Sequence, residues 1–243
     1  MSATELDAAI ALRRTSDRRI YTGAAVVAAL VVLAGFARTY YAKAVFATPE
    51  LNALQHLHGL VMTAWFTLFI VQVRLAATAR IQTHRRLGAY GVLVAVLVVV
   101  VGTAVAVANA AAGRSPPGAP PPLVFLAIPI GDVVLFTILV SAAFALRRRP
   151  EFHKRLMVVA TLSILTAAIA RIPIDALQRG GLPVFFLVTD VLLLAFVAMD
   201  TVRHRRLHPA YAWGFGLVLL SQVARFAGAG TPQWIAFATW LTT

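Results

Sequence analysis

The 243-residue chain has no cysteine, nine acidic residues and only 13% charged residues, where an average soluble domain carries roughly 25%. The missing cysteine excludes a disulfide framework, thiolate metal sites, iron–sulfur clusters and a cysteine nucleophile. The scarcity of charge, with 60% hydrophobic residues and a mean hydropathy of +0.82, excludes an ordinary water-soluble fold. No P-loop, dinucleotide fingerprint, zincin motif or nucleophile elbow occurs, so the sequence names no reaction and whether the protein is an enzyme stays open.

What is there is apolar and long. Seven runs, near 20–41, 51–75, 87–108, 123–146, 156–172, 182–202 and 210–227, reach the length of about 20 residues that a hydrocarbon core demands. Lipid offers the backbone no hydrogen bonds, and runs this continuous do not alternate like barrel strands, so they are expected to be helices. The expected fold class is all-α: an integral membrane seven-helix bundle of one entry helix and three antiparallel hairpins. Its parts are a cytoplasmic leader over 1–19, the spanning domain over 20–230, and an outer interfacial tail over 231–243.

The net charge of +13 is topological and does not mark a nucleic-acid surface, because the basic residues sit between the apolar runs. Sixteen of the 22 Lys and Arg residues fall at one set of ends. Arg38, Lys43, Arg114, Arg171, Arg179 and Arg225 remain for the other. Basic residues resist translocation, so the amino terminus is expected in the cytoplasm and the carboxyl terminus outside, in the plasma membrane and most simply a bacterial inner membrane. The first run is too long for a signal-peptide core, and the leader reads as a retained anchor. Trp234, Phe237 and Leu241 give the tail an interfacial stripe. The proline-rich segment 113–122 is expected to be an extended outer loop. Gly91 with Ala95 and Gly102 with Ala106 mark a close helix contact, within the chain or between copies.

Three inner turns carry a histidine, two basic residues and a leucine: His84-Arg85-Arg86-Leu87, His153-Lys154-Arg155-Leu156 and His204-Arg205-Arg206-Leu207. This weak threefold repeat is either duplication or the ordinary basic character of inner turns. With the histidine-bearing second span and the closing Leu207-His208-Pro209-Ala210-Tyr211-Ala212-Trp213-Gly214, the chain from about residue 51 onward resembles bacterial multi-pass membrane-protein families of unknown function. That resemblance implies no activity. More loosely, histidines at span ends resemble the b561-type membrane cytochromes, which implies histidines paired across helices around a b-type haem; the outer half, with no second histidine pair, departs from that pattern.

Ionisable groups inside spans are costly and mark candidate sites. His56, His58, Asp132, Asp190 and Arg225 lie in the outer half and form a candidate ligand or proton pocket. Asp190 and Arg225 are expected to neutralise each other. Pro129-Ile130-Gly131-Asp132 suggests a broken helix that exposes Asp132 to a polar cavity. His56 and His58, two apart, point in opposite directions, and the polar stripe through Asn52, Gln55, Gly59 and Thr63 favours His56 as the one facing the bundle. At the inner face, His84, Arg85, Arg86, His153, Lys154, Arg155, His204 and His208 suit anionic phospholipid head groups better than a metal, which the surrounding cations repel. A His84–His153 pair is the place for haem, if one is bound. The working expectation is proton-coupled binding or transport of a small ligand; the alternatives are b-haem electron transfer and an accessory membrane subunit. Protein partners and oligomeric state are left open.

Overall fold

A computed structural model describes the backbone of residues 3–243 and the side chains from Arg18 onward; the expectation for the leader, including Arg13 and Arg14, falls outside the described side chains. The described residues are mostly helical, with no strand. The order is α1 (Ala3–Phe36), a π-helical turn (Ala37–Tyr41), α2 (Lys43–Phe46), α3 (Ala53–Ala77), α4 (Ile81–Ala111), α5 (Pro122–Phe125), α6 (Ala127–Ala145), α7 (Pro150–Ser163), α8 (Thr166–Ile169), α9 (Asp175–His204), α10 (Pro209–Gly228) and α11 (Pro232–Thr242). Six stretches are long and apolar enough to cross a membrane, or up to seven if α10 and α11, bent by 92°, count as one. Leu30, Leu93, Leu187 and Leu220 are each about 60% exposed. Such a belt is tolerable only where the surroundings are themselves apolar.

Local chemistry sets the helix ends. Asn52 and Gln55 form a capping box at the start of α3: Asn52 Oδ1 accepts from the Gln55 amide and Gln55 Oε1 from the Asn52 amide. α4 ends in a Schellman motif, with Gly113 left-handed (φ 67°), its N–H on Ala110 O and the Arg114 N–H on Asn109 O. Most of the proline-rich segment is loop, but Pro122 itself opens α5, where its missing N–H costs nothing. Pro129 likewise sits in the first turn of α6, which runs unbroken through Asp132. The expected break there is absent.

The breaks fall elsewhere. α7 and α8 are separated at Ile164–Leu165, next to Ser163, whose hydroxyl donates back to Ala160 O, a bond that bends helices. α9 kinks at Gly181, whose φ of 59° and ψ of −154° only glycine adopts readily. The helical run therefore resumes at Leu182, where the apolar run begins.

The 150–169 stretch is central, with 67% of its window buried against 28–39% for the other five. It buries Leu156, Val158, Val159, Leu162, Leu165 and Ile169 together with the polar Arg155, Thr161, Ser163 and Thr166. α3 pairs with α4 and α6 with α7 as close antiparallel hairpins, and α1 lies across α3 and α8. Gly35 meets the main chain of Ala168 so closely that a Cβ would collide with it. Trp65 and Phe136 join α3 to α6 edge to face, with ring centroids 4.9 Å apart. Gly91 packs on Leu68 and Phe144, and Gly102 on Val133, so the small residues of α4 serve contacts within the chain.

α9 and α10 do not form a hairpin like the first two. α10 packs on α6 and α7 and touches α9 only slightly. α11 turns onto α4 and α5, where Trp234 Nε1 donates to Leu123 O at 2.8 Å and Ala238 is buried with Ala106, Ala110 and Leu126. The arginine-bearing turns between α3 and α4, α6 and α7, and α9 and α10 share one end, shown by contacts of His84 with His153 and of Arg155 with Asp200. We call this the arginine-rich end; the other is the far end.

Candidate functional site

Two buried arginines organise the polar interior, one towards each end. At the far end, Arg225 on α10 is 6% exposed. Its Nη1 donates to Asp132 Oδ1 at 2.5 Å and to Ile128 O at 3.4 Å; its Nε donates to Ser221 O and its Nη2 to Ser221 Oγ. The guanidinium lies over the Phe186 ring of α9, 5.0 Å from its centroid. The side chain crosses α6 at Gly131, where a Cβ would collide with Arg225 Cδ, Nε and Cγ. The glycine before Asp132 serves as a passage for the arginine, and no break is needed to explain it.

Asp190, on α9, takes a hydrogen bond from Gln222 Nε2 at 2.8 Å. The expected Asp190–Arg225 ion pair is replaced by Arg225–Asp132, because α10 leans on α6 and away from α9. Phe186 and Phe226, with centroids 5.6 Å apart, make the adjoining contact between α9 and α10. One guanidinium thus pairs with Asp132 and leaves Asp190 to an amide. Among the described residues no second cation forms an ion pair with either carboxylate.

His56 and His58 are outside this group. His56 is exposed, with its ring 6.2 Å from that of Tyr40. His58 is the one turned inward, and its buried Nδ1 has no hydrogen-bond partner. The polar stripe predicted the opposite because its members, Asn52 and Gln55, are spent on capping α3 and do not face the bundle.

At the arginine-rich end, Arg155 is 1% and Asp200 0% exposed. The pairing is bidentate: Nε to Oδ2 at 2.9 Å, Nη2 to Oδ2 at 2.8 Å and to Oδ1 at 3.0 Å. Arg155 Nη1 donates to Glu151 Oε2 and to Glu151 O, Lys154 bridges to Glu151 Oε1 at 2.8 Å, and the Tyr21 hydroxyl donates to Asp200 Oδ1 at 3.3 Å. His204 Nδ1 bonds Asp200 O at 2.9 Å. Sequence reasoning missed Asp200, Glu151 and Tyr21. The available signal was an acid at the end of α9 level with the basic turns, where an arginine could meet it.

This network removes Arg155 from any anion-binding surface. His208, 8% exposed, is extended at φ −79° and ψ 135°, as the following proline requires, and its Nδ1 accepts from the Ala210 amide to cap α10. Burial, and next the Arg155 charge, hold its imidazole below the ordinary histidine range. Arg85 and Arg86 are exposed and stay available to a head group.

His84 and His153 do meet, with centroids 6.3 Å apart and planes 86° apart. Each is the fourth residue of its helix after an arginine at the cap position, and each bonds a carbonyl of the preceding helix: His84 Nδ1 to Gln72 O at 3.3 Å, His153 Nδ1 to Ala143 O at 2.9 Å. The histidine repeat thus has one structural meaning in two hairpins, a bond that ties the turn to the preceding helix. His204, at the end of α9, bonds within its own helix and does not share it. Among the described residues no three His, Cys, Asp or Glu side chains group as metal ligands.

No family model, curated protein or solved structure matches this chain.

Proposed function

We propose that this is a seven-span protein of a bacterial plasma membrane, amino terminus inside and carboxyl terminus outside, that binds and carries a small ligand together with a proton at the Asp132–Asp190–Arg225 group. In this reading α10 is the seventh span, α11 lies along the outer surface, and Arg85 and Arg86 face anionic phospholipid head groups. The carrying observation is the charge count: two carboxylates on α6 and α9, helices apolar and long enough to span, meet one guanidinium on α10. A bare carboxylate in hydrocarbon costs several kcal/mol, so the group holds a proton when empty and exchanges it when a ligand engages Arg225. The slight contact between α9 and α10 leaves Asp190 half-buried, where exchange can reach it.

Infrared difference spectroscopy of the reconstituted protein tests this. A protonated carboxyl stretch is expected at neutral pH, lost in Asp190→Asn and retained in Glu151→Gln. Its absence from the unaltered protein overturns the reading.

A second reading, b-type haem, rests on the His84–His153 contact. Both Nδ1 atoms are tied to main-chain carbonyls, which directs each Nε2 away from its anchor as iron or metal ligands require. Purified protein without Soret absorbance after haem supplementation removes it.

A further inference from the structure

The far end also holds a cleft of about 420 Å³, within the range of small-molecule sites, lined by Thr39, Thr48, Glu50, Asn52, Gln55 and Arg114 with neighbouring loop residues. Separate local devices fix its walls. Thr39 lies in the π-helical turn that ends α1, Asn52 and Gln55 are the capping box of α3, and Arg114 is held by the Schellman motif that closes α4. Lys43 braces the remaining loop, donating to Thr48 O at 3.0 Å and pairing with Glu50 at 3.1 Å.

The hydrogen-bond inventory of this lining is lopsided. Asn52 Oδ1 and Gln55 Oε1 are consumed by the capping box, which orients both amide nitrogens outward as unused donors. The Thr48 hydroxyl is spent on Arg38 O and the Glu50 carboxylate on Lys43. The Arg114 guanidinium, on an exposed side chain, has no hydrogen bond or ion pair among the described residues, and the Thr39 hydroxyl is buried out of a ligand's reach. Two amides and one guanidinium therefore point to a ligand that supplies acceptors and negative charge. Tyr40 and Tyr41 stand beside Thr39, a pairing common where chain meets head groups.

We propose that this cleft binds an oxyanion, a carboxylate or phosphate group, with Arg114 as its charged anchor and the Asn52 and Gln55 side chains as further donors. The group belongs either to a free small molecule or to a lipid head group. The proposal is independent of the Asp132–Asp190–Arg225 reading, since it uses none of those residues.

The test uses the full chain in two arms. In detergent, calorimetric titration with inorganic phosphate and with succinate is expected to give saturable binding for a free ligand. In nanodiscs, adding phosphatidylglycerol to phosphatidylcholine is expected to slow amide exchange over 48–55 and 113–115 for a lipid ligand. In whichever arm responds, Arg114→Gln weakens the response at least tenfold, and Glu50→Gln strengthens it by removing a competing negative charge. No response in either arm overturns the proposal, as does a response that Arg114→Gln leaves intact. Thermal unfolding of Arg114→Gln separates lost binding from lost folding, and Glu50→Gln, an exposed position, gives the opposite-sign readout that misfolding would not produce.

Discussion

Arg155 and Arg225 are both buried arginines paired to an aspartate on another helix, yet they sit in opposite electrostatic circumstances. Around Arg155 the charges balance: Arg155 and Lys154 face Asp200 and Glu151, with Tyr21 and His204 closing the remaining bonds. Around Arg225 they do not, because the one cation pairs with Asp132 and Asp190 relies on an amide. Breaking a satisfied buried pair leaves an uncompensated charge, whereas an unbalanced group already has to exchange something with its surroundings. The arginine-rich end is therefore a clamp joining α1, α7 and α9, and the far end is the less balanced of the two.

The largest expected effect tests the clamp. Asp200→Ala should lower stability by about 3–5 kcal/mol, the cost of stranding a buried charge, read as a drop in thermal unfolding temperature in detergent, with Asp200→Ala combined with Arg155→Met recovering a large part. Asp132→Asn should cost clearly less, since its side chain is 19% exposed and the neutral amide still accepts from Arg225. Equal losses at the two ends would erase the distinction.

Glycine contacts come next. Gly35→Ala drives a methyl group into the rigid main chain of Ala168 and should cost about 1–3 kcal/mol, the range for overpacking. Gly131→Ala presses only on the Arg225 side chain and should cost less, while displacing Arg225 from Asp132. An unchanged unfolding temperature for Gly35→Ala would mean that α1 does not approach α8 so closely.

The smallest effect concerns pH at the edge of the clamp. The folded His208 imidazole titrates below its unfolded value, so the unfolded chain binds more protons between the two. Stability is then fully present above the ordinary histidine value of about 6.5 and falls as pH drops from there towards the folded value. Protonation turns Nδ1 from acceptor to donor and removes the cap on α10, a loss of about 1 kcal/mol. His208→Asn keeps a cap without the titration and should flatten that part of the stability profile; an unaltered profile would place the pH response elsewhere.

The helices were legible, because hydropathy acts over neighbouring residues, but α4 and α7 begin about six residues before their apolar runs. Gly181 ended one helical run just where the apolar run at Leu182 begins. Pro129 misled, since a proline reads as a break unless its position within the first turn is known. The actual break at Ile164–Leu165 has no proline or glycine to announce it. Candidate residues were legible by type and not by partner. Arg225, Asp132 and Asp190 stood out as charges within spans, but their pairing depends on which helix α10 leans against. His56 and His58 were distinguishable only once α3 had a rotational setting.

By itself the sequence determined the apolar character of most of the chain and the long helices, able to span a membrane, that this character favours. Those follow from composition and short-range hydrogen bonding. Only the tertiary structure decided that Arg155 turns inward to Asp200 and that Arg225 crosses Gly131 to Asp132. An ion pair between distant segments is chosen by the angle and distance at which helices pack, and neither is written in the residues of one helix alone.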